Sequence, residues 1–215
     1  MDYFEHLEKH GYLQIPQFLP QHQASAFRKS IIRTRNPQEW RQRIKPYSPL
    51  TGSNTFGNKR IKSRYSKALH AKRDNRFSFS FKRSRYIEAP HSVLSGIALE
   101  FRKTLIDKLS SSLPINGLTK GGFIASFNKG DFLTYHNDNV KGKYAFVYNL
   151  SQGWQPKFGG QLELFPKKYR FYKKVLTPEF NSLLLLKLDY PMYHQVAMVA
   201  SPTHQQRITI TGWLL

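Results

Sequence analysis

The chain has 215 residues, 40% of them hydrophobic and 14% aromatic, which suits one domain with its own core and excludes an intrinsically disordered protein. It has no cysteine, which excludes a disulfide scaffold, zinc–thiolate sites and iron–sulfur clusters. Thirty-four Lys and Arg against 13 Asp and Glu leave a formal charge of +21, and no apolar run is long enough to span a bilayer.

In chain order, residues 3–10 read as a short helix and 12–15 as a short strand ahead of Pro16. Gln21 to Arg35, with Ala24, Phe27, Ile31 and Ile32 at helical spacing, reads as an amphipathic helix. Residues 36–76 hold Pro37, Pro46, Pro49, Gly52 and Gly57 with little periodicity and read as a loop-rich segment. Phe77-Ser78-Phe79-Ser80-Phe81 alternates strictly, as a strand with one aromatic face does. Residues 91–112 form a second long helix. From Gly122 strands dominate, at roughly 122–128, 132–137, 144–150, 161–165, 174–176, 182–188, 193–198 and 206–214. Helices first and a run of antiparallel strands after predict a mainly β, α+β domain, a β core braced by N-terminal helices. We read it as a single domain, with 1–121 as a helical, basic support region and 122–215 as the catalytic core. Met1 to His6 lacks the basic and apolar regions of a signal peptide, so a cytoplasmic protein is expected.

The positive charge is uneven. Between Arg28 and Arg85 lie 18 basic residues against two acidic ones, Glu39 and Asp74. Blocks this one-sided commonly face a polyanion. The interleaved aromatics Trp40, Tyr47, Phe56, Tyr65, Phe77, Phe79, Phe81 and Tyr86 suit contact with RNA or a ribonucleoprotein. A merely solvated face is the alternative.

The most informative feature is His136-Asn137-Asp138, followed 56 residues later by His194 and 13 after that by Arg207. Two histidines and a carboxylate form the set that holds non-haem Fe(II) on one triangular face and leaves the other positions open. In a strand, residues i and i+2 share a side, so His136 and Asp138 reach one metal while Asn137 faces away. His194 follows the apolar run Leu183-Leu184-Leu185-Leu186 and is preferred to its rival, His204, which sits in a Pro-containing turn. Arg207 alternates with Ile208 and Ile210 and shares a face with Thr209. It can offer a bidentate fork to a carboxylate; Lys187 is the next candidate for that role. A lone His-x-Asp is weak, and the ordered set on strands is what carries weight.

Several stretches carry a family resemblance: Tyr135-His136-Asn137-Asp138, Ala145-Phe146-Val147-Tyr148-Asn149-Leu150, Trp154 with Gly159-Gly160-Gln161-Leu162-Glu163-Leu164-Phe165, Phe180-Asn181-Ser182-Leu183, His194-Gln195-Val196 and Arg207-Ile208-Thr209-Ile210-Thr211-Gly212-Trp213. Through them, residues from about Gly122 to Trp213 resemble the catalytic core of the prolyl-hydroxylase-type 2-oxoglutarate/Fe(II) dioxygenases, in particular the branch acting on a small-subunit ribosomal protein. The resemblance implies a double-stranded β-helix (jelly-roll) fold, iron on His136, Asp138 and His194, and the far carboxylate of 2-oxoglutarate on Arg207. Two departures stand out: Phe127 and Asn149 occupy places where that branch carries tyrosines that grip the co-substrate. The Asn149 amide can still donate a hydrogen bond, and Tyr148 takes its place if the alignment shifts by one.

The resemblance further implies Fe(II), 2-oxoglutarate and O2, with ascorbate as a reductant, and release of succinate and CO2. Asp138 leaves no vacancy for a halide, so hydroxylation is expected rather than halogenation. The expected substrate is a prolyl residue of a protein, ribosomal or RNA-associated, met through region 28–85. A free amino acid or small peptide, oxidation of nucleic acid, and a non-enzymatic RNA-binding module are the alternatives. No membrane association or obligate partner is expected.

Overall fold

The computed structural model describes residues 2–45, 58–89, 91–115, 121–138, 141–166, 172–202 and 205–215. Helix α1 (Tyr3–His10) starts at Asp2, whose carboxylate accepts from the N–H groups of Phe4 and Glu5, and stops at Gly11, φ 73°. A side chain at Gly11 would collide with the Tyr190 ring, so the stop requires glycine. Strand β1 (Tyr12–Ile15), α2 (Gln21–Arg33), β2 (Arg41–Lys45), α3 (Asn58–Arg73), β3 (Phe79–Arg83) and α4 (Val93–Leu109) follow. The rest is strand: β4 (Phe123–Phe127), β5 (Phe132–His136), β6 (Tyr144–Asn149), β7 (Leu162–Phe165), β8 (Lys174–Leu176), β9 (Ser182–Lys187), β10 (Tyr193–Val196) and β11 (Arg207–Leu214).

These strands form one antiparallel sheet in the order β1-β9-β6-β11-β4-β3-β5-β10-β7-β8, with β2 on the other edge of β3. Strand β3 is the joint. Its Lys82 and Arg83 pair with Ser126 and Ala125 of β4, while its Phe79 and Ser80 pair with Leu133 and Phe132 of β5. One strand thus serves two neighbours along the same edge, and the sheet curls into a half-barrel. Three strands from the first 121 residues (β1, β2 and β3) are built into this sheet.

Alternation along the strands sorts their side chains into two layers. Outward, Tyr144, Phe146, Tyr148, Leu183, Leu185, Ile208 and Ile210 meet Leu7, Ala24, Ile31, Leu94, Ala98, Phe101 and Leu105 from the helices. Phe101 stacks on Tyr148 with ring centroids 4.3 Å apart. Inward, Phe81, Ala125, Phe127, Ala145, Leu184, Leu186 and Val196 form a second cluster.

Two expectations need correction. The segment 36–76 was expected as loop, yet its described part holds β2 and α3. Helix α3 packs Ile61, Tyr65, Ala68 and Leu69 against Ile44 and Phe132. That stripe is narrow and lies among lysines and arginines, which hides its period. The aromatic strand also starts at Phe79 rather than Phe77: the Ser78 N–H bonds to the Thr134 hydroxyl (2.8 Å), outside the regular ladder. No helix among the described residues is long and apolar enough to cross a membrane.

Candidate metal centre and its cavity

Inward residues from both halves of the sheet enclose a cavity of about 430 Å³. On its wall His136 of β5 and His194 of β10 are direct cross-strand partners, with ring centroids 4.2 Å apart. Asp138 lies just past the end of β5 and brings Oδ2 to 3.8 Å from His194 Nε2. One ligand atom from each of the three residues lies within 4.8 Å of the other two, a spacing that could serve one metal ion. His136 Nδ1 donates to the Thr134 carbonyl (2.8 Å), which leaves Nε2 with its lone pair. On the opposite face of the same strand pair, Tyr135 and Tyr193 stack 4.6 Å apart.

The electrostatics suit metal ligands, since histidine must be neutral and carboxylate ionised. Burial lowers His136 and, with the neighbouring His136 ring, brings His194 down to about 3. Burial works against ionisation of Asp138, but His194, His136 and Lys141 outweigh it and hold the carboxyl below its usual range. Lys141 Nζ stands 2.6 Å from Oδ1, and Trp213 Nε1 donates to Oδ2 at 3.3 Å.

Arg207 opens β11 opposite Phe127. It is 2% exposed, its Nε has no partner, and its guanidinium sits 5.2 Å from the centre of the Phe127 ring. Burial brings it down to about 10, so it stays cationic at neutral pH. A buried charge without a counter-ion is costly, and the site therefore calls for an anion. Gly160, φ 67°, makes room for it: a Cβ there would stand 3.1 Å from Arg207 Cδ and 3.0 Å from Val199 Cγ2.

Asn149 lies on the same face. Its Nδ2 donates to Ser182 Oγ (3.1 Å), while Oδ1 is buried without a partner. Together with Gln14, Thr177 and Arg207 it lines a small recess that shares Val147, Leu162 and Arg207 with the main cavity. Tyr148 does not reach this site, which corrects that candidate. Alternation turns it outward with Tyr144 and Phe146, and its hydroxyl donates to Asn181 Oδ1 (2.7 Å). Lys187 is no alternative clamp either, because Glu8 (2.6 Å) and Asp189 (3.5 Å) hold its ammonium away from the cavity. His204 lies outside the described residues.

Sequence reading gave no site role to several charged or aromatic side chains of the cavity, among them Arg43, Arg83, Lys141 and Trp213. Nothing local marks Arg43 and Arg83, since β2 and β3 reach the site only through long-range pairing, whereas Lys141 stands three residues past Asp138 and Trp213 continues the inward face of Arg207 along β11.

Residues 123–215 match the 2OG-Fe(II) oxygenase superfamily. Among solved structures, the chain is similar to a prolyl hydroxylase from Trichoplax adhaerens in complex with a hypoxia inducible factor oxygen degradation domain peptide fragment (TM-score 0.69, 18% identity, covering 100% of this chain and 87% of that one). It is also similar to a Pseudomonas putida prolyl-4-hydroxylase (0.65, 18%, 98% and 95%). A third is a viral collagen prolyl hydroxylase from Paramecium Bursaria Chlorella virus-1 in complex with 2OG (0.51, 13%, 95% and 95%). The curled sheet is thus the double-stranded β-helix expected from the sequence. Neutral histidines beside an ionised carboxylate, and a buried arginine with no ion pair among the described residues, fit the iron and the dicarboxylate from which that superfamily takes its name. Residues 123–215 thus carry the match to the 2OG-Fe(II) oxygenase superfamily, and the whole chain shares the fold of these prolyl hydroxylases.

Proposed function

We propose that the chain acts as a single domain that hydroxylates a prolyl residue of a protein, its partners being ribosomal or RNA-associated proteins met through the basic region 28–85. One observation carries this reading: a His-Asp-His cluster and an unpaired buried arginine line the same largely apolar cavity, on the fold that prolyl hydroxylases share.

In this reading His136, Asp138 and His194 hold Fe(II), and Arg207 holds the far carboxylate of 2-oxoglutarate. When bound, iron and 2-oxoglutarate supply the oxidising power, so that one oxygen of O2 enters a C–H bond and the other leaves in succinate alongside CO2. The chain's own residues orient and exclude. The Thr134 carbonyl fixes the His136 ring with Nε2 toward the site. Lys141 and Trp213 hold the Asp138 carboxylate from both oxygens. Phe79, Phe81, Phe123 and Phe127 keep water off the cavity wall. The Asn149 amide, anchored on Ser182, is the neutral neighbour to the Arg207 clamp. Ascorbate as a reductant and a cytoplasmic setting belong to the same reading, the latter supported by the cysteine-free composition.

The test is incubation with Fe(II), 2-oxoglutarate and purified ribosomes or cell lysate, followed by mass spectrometry of the proteins. The expected result is a gain of one oxygen on a proline, dependent on 2-oxoglutarate. Succinate formation that oxidises an added free amino acid and no protein residue overturns the substrate assignment.

A further inference from the structure

The cavity has a second cationic corner that the clamp does not explain. Arg83, at the end of β3, is 5% exposed, lines the cavity, and leaves Nη1 buried with no hydrogen-bond partner. Its guanidinium lies 3.9 Å from the centre of the Tyr86 ring and 5.1 Å from that of Phe123. These rings fix its plane and leave its edge for a ligand. Across the β2–β3 ladder, Arg41 stands opposite Arg83 and Arg43 opposite Phe81, so both arginines of β2 share its face. Arg43 is also on the cavity wall.

Three guanidiniums therefore converge: burial lowers Arg83 and Arg43, the neighbouring guanidiniums add to this (Arg43 and Arg41 for Arg83, Arg41 for Arg43), and Tyr86 works against it. Among the described residues no carboxylate forms an ion pair with Arg41, Arg43 or Arg83; the acids nearby in sequence are engaged elsewhere, Glu39 on the start of α4 and Glu88 on Gly121 N and Arg102. Like charges gathered around a buried unpaired donor cost stability unless an anion completes them.

We infer that Arg83 and Arg43 form a carboxylate-binding subsite for the substrate, separate from Arg207, an inference that rests on the oxygenase reading above. The carboxylate has two sources, an acidic side chain near the target residue of a protein or the α-carboxylate of a free amino acid. Burial selects this chemistry over a nucleic-acid backbone. An arginine 5% exposed between aromatic rings admits a terminal group on a slim stem, whereas a backbone phosphate arrives flanked by two sugars. A planar fork also matches a carboxylate in bidentate fashion.

The test is a binding measurement, so it reads out whether or not turnover occurs. Fluorescein-labelled heptapeptides with a central proline carry one glutamate, or one glutamine, at each flanking position in turn and alanine elsewhere. Anisotropy is followed with protein loaded with Fe(II) and 2-oxoglutarate under nitrogen, and unlabelled proline and prolinamide serve as competitors. At one position the glutamate peptide should bind about tenfold or more tightly than its glutamine twin, and Arg83→Gln should erase that gap. With a free amino acid as the source, proline should compete and prolinamide should not, and Arg83→Gln should again erase the difference. Arg43→Gln, at a half-exposed position, should narrow the gap about threefold, and it carries the test if circular dichroism shows Arg83→Gln unfolded. The inference is overturned if acid and amide probes bind alike, or if their difference survives both variants. It is equally overturned if Arg83→Gln weakens 2-oxoglutarate alone, or if a single-stranded oligonucleotide competes through Arg83 with the steep salt dependence of phosphate contacts. Failure of the oxygenase reading shows separately, as no oxygen gained by any substrate.

Discussion

Two buried charges receive opposite treatment in this fold. Glu39, 8% exposed, lies on the helical side, where its carboxylate accepts from Ser92 Oγ (2.6 Å) and from the N–H groups of Val93 and Leu94 (3.2 Å each). Arg207, 2% exposed on the inner side, has no ion pair among the described residues and an unpartnered Nε. The same contrast runs within single strands. Outward-facing Tyr148 bonds to Asn181, while its inward neighbour Asn149 keeps an unpaired Oδ1. A charge with its full set of partners fastens a helix end. A charge without them is a standing demand for a ligand. The outer face of the sheet supplies stability and the inner face supplies binding, and substitutions should separate the two.

The largest effects test that division directly. His136→Ala, Asp138→Ala and His194→Ala should each abolish Fe(II) binding and succinate formation, yet leave the folded spectrum intact, because none of the three side chains packs in the helical core. Phe101→Ala should do the reverse. It removes a fully buried ring stacked on Tyr148 and should cost about 3–5 kcal/mol in denaturant unfolding, with iron binding kept by the molecules that remain folded. Unfolding in the histidine variants, or iron loss from folded Phe101→Ala, breaks the division.

Arg207 sharpens it. Arg207→Lys keeps the charge and loses the fork, so the apparent requirement for 2-oxoglutarate should rise about tenfold, roughly 1.4 kcal/mol of binding. Arg207→Met removes an unpaired buried charge. Without co-substrate it should be as stable as the parent or more so, by about 1–4 kcal/mol, since apolar replacements of buried ions often stabilise. In a thermal melt 2-oxoglutarate should raise the parent's midpoint and leave that of Arg207→Met unmoved. A destabilised Arg207→Met would mean that the arginine has a structural partner after all.

The strands from β4 onward were legible in the sequence to within a residue or two, because each is an alternating or continuous apolar run bounded by polar or glycine residues. The metal cluster was legible from spacing: the i, i+2 pair His136 and Asp138 come together although Asp138 lies just past β5, and the apolar run ahead of His194 marks it as strand-borne. Alternation with Ile208 and Ile210 put Arg207 on the face of Thr209, but that this face is the buried interior is a tertiary fact. Helix α3 and strand β2 were not legible, since Ile61, Tyr65, Ala68 and Leu69 make a thin apolar stripe in a segment dense with lysine and arginine. The choice between Tyr148 and Asn149 depended on which face of β6 the helices cover, a tertiary fact. Arg83 was out of reach too, because the splitting of β3 between β4 and β5 brings it to the cavity through contacts some 40 residues away in sequence.

The last expected effect concerns Glu39 and carries a pH signature. Burial alone would raise its carboxyl, but the Ser92 hydroxyl, the two backbone N–H groups and nearby Arg85 outweigh that and hold it below its usual value. A carboxyl depressed in the folded state contributes stability that is fully present above its unfolded pKa, about 4.3, and lost as pH falls through the folded value. Glu39→Gln keeps one acceptor but gives up the charge-assisted bonds to the start of α4, so it should lose about 1–2 kcal/mol at pH 7. Thermal melts of the two proteins should therefore stand apart at neutral pH and converge only as the pH falls below the depressed folded value, where the parent carboxyl is also protonated. A gap that stays constant with pH would show that shape rather than charge is what Glu39 supplies. The contrast with Arg207 would then rest on packing instead of on how each charge is partnered.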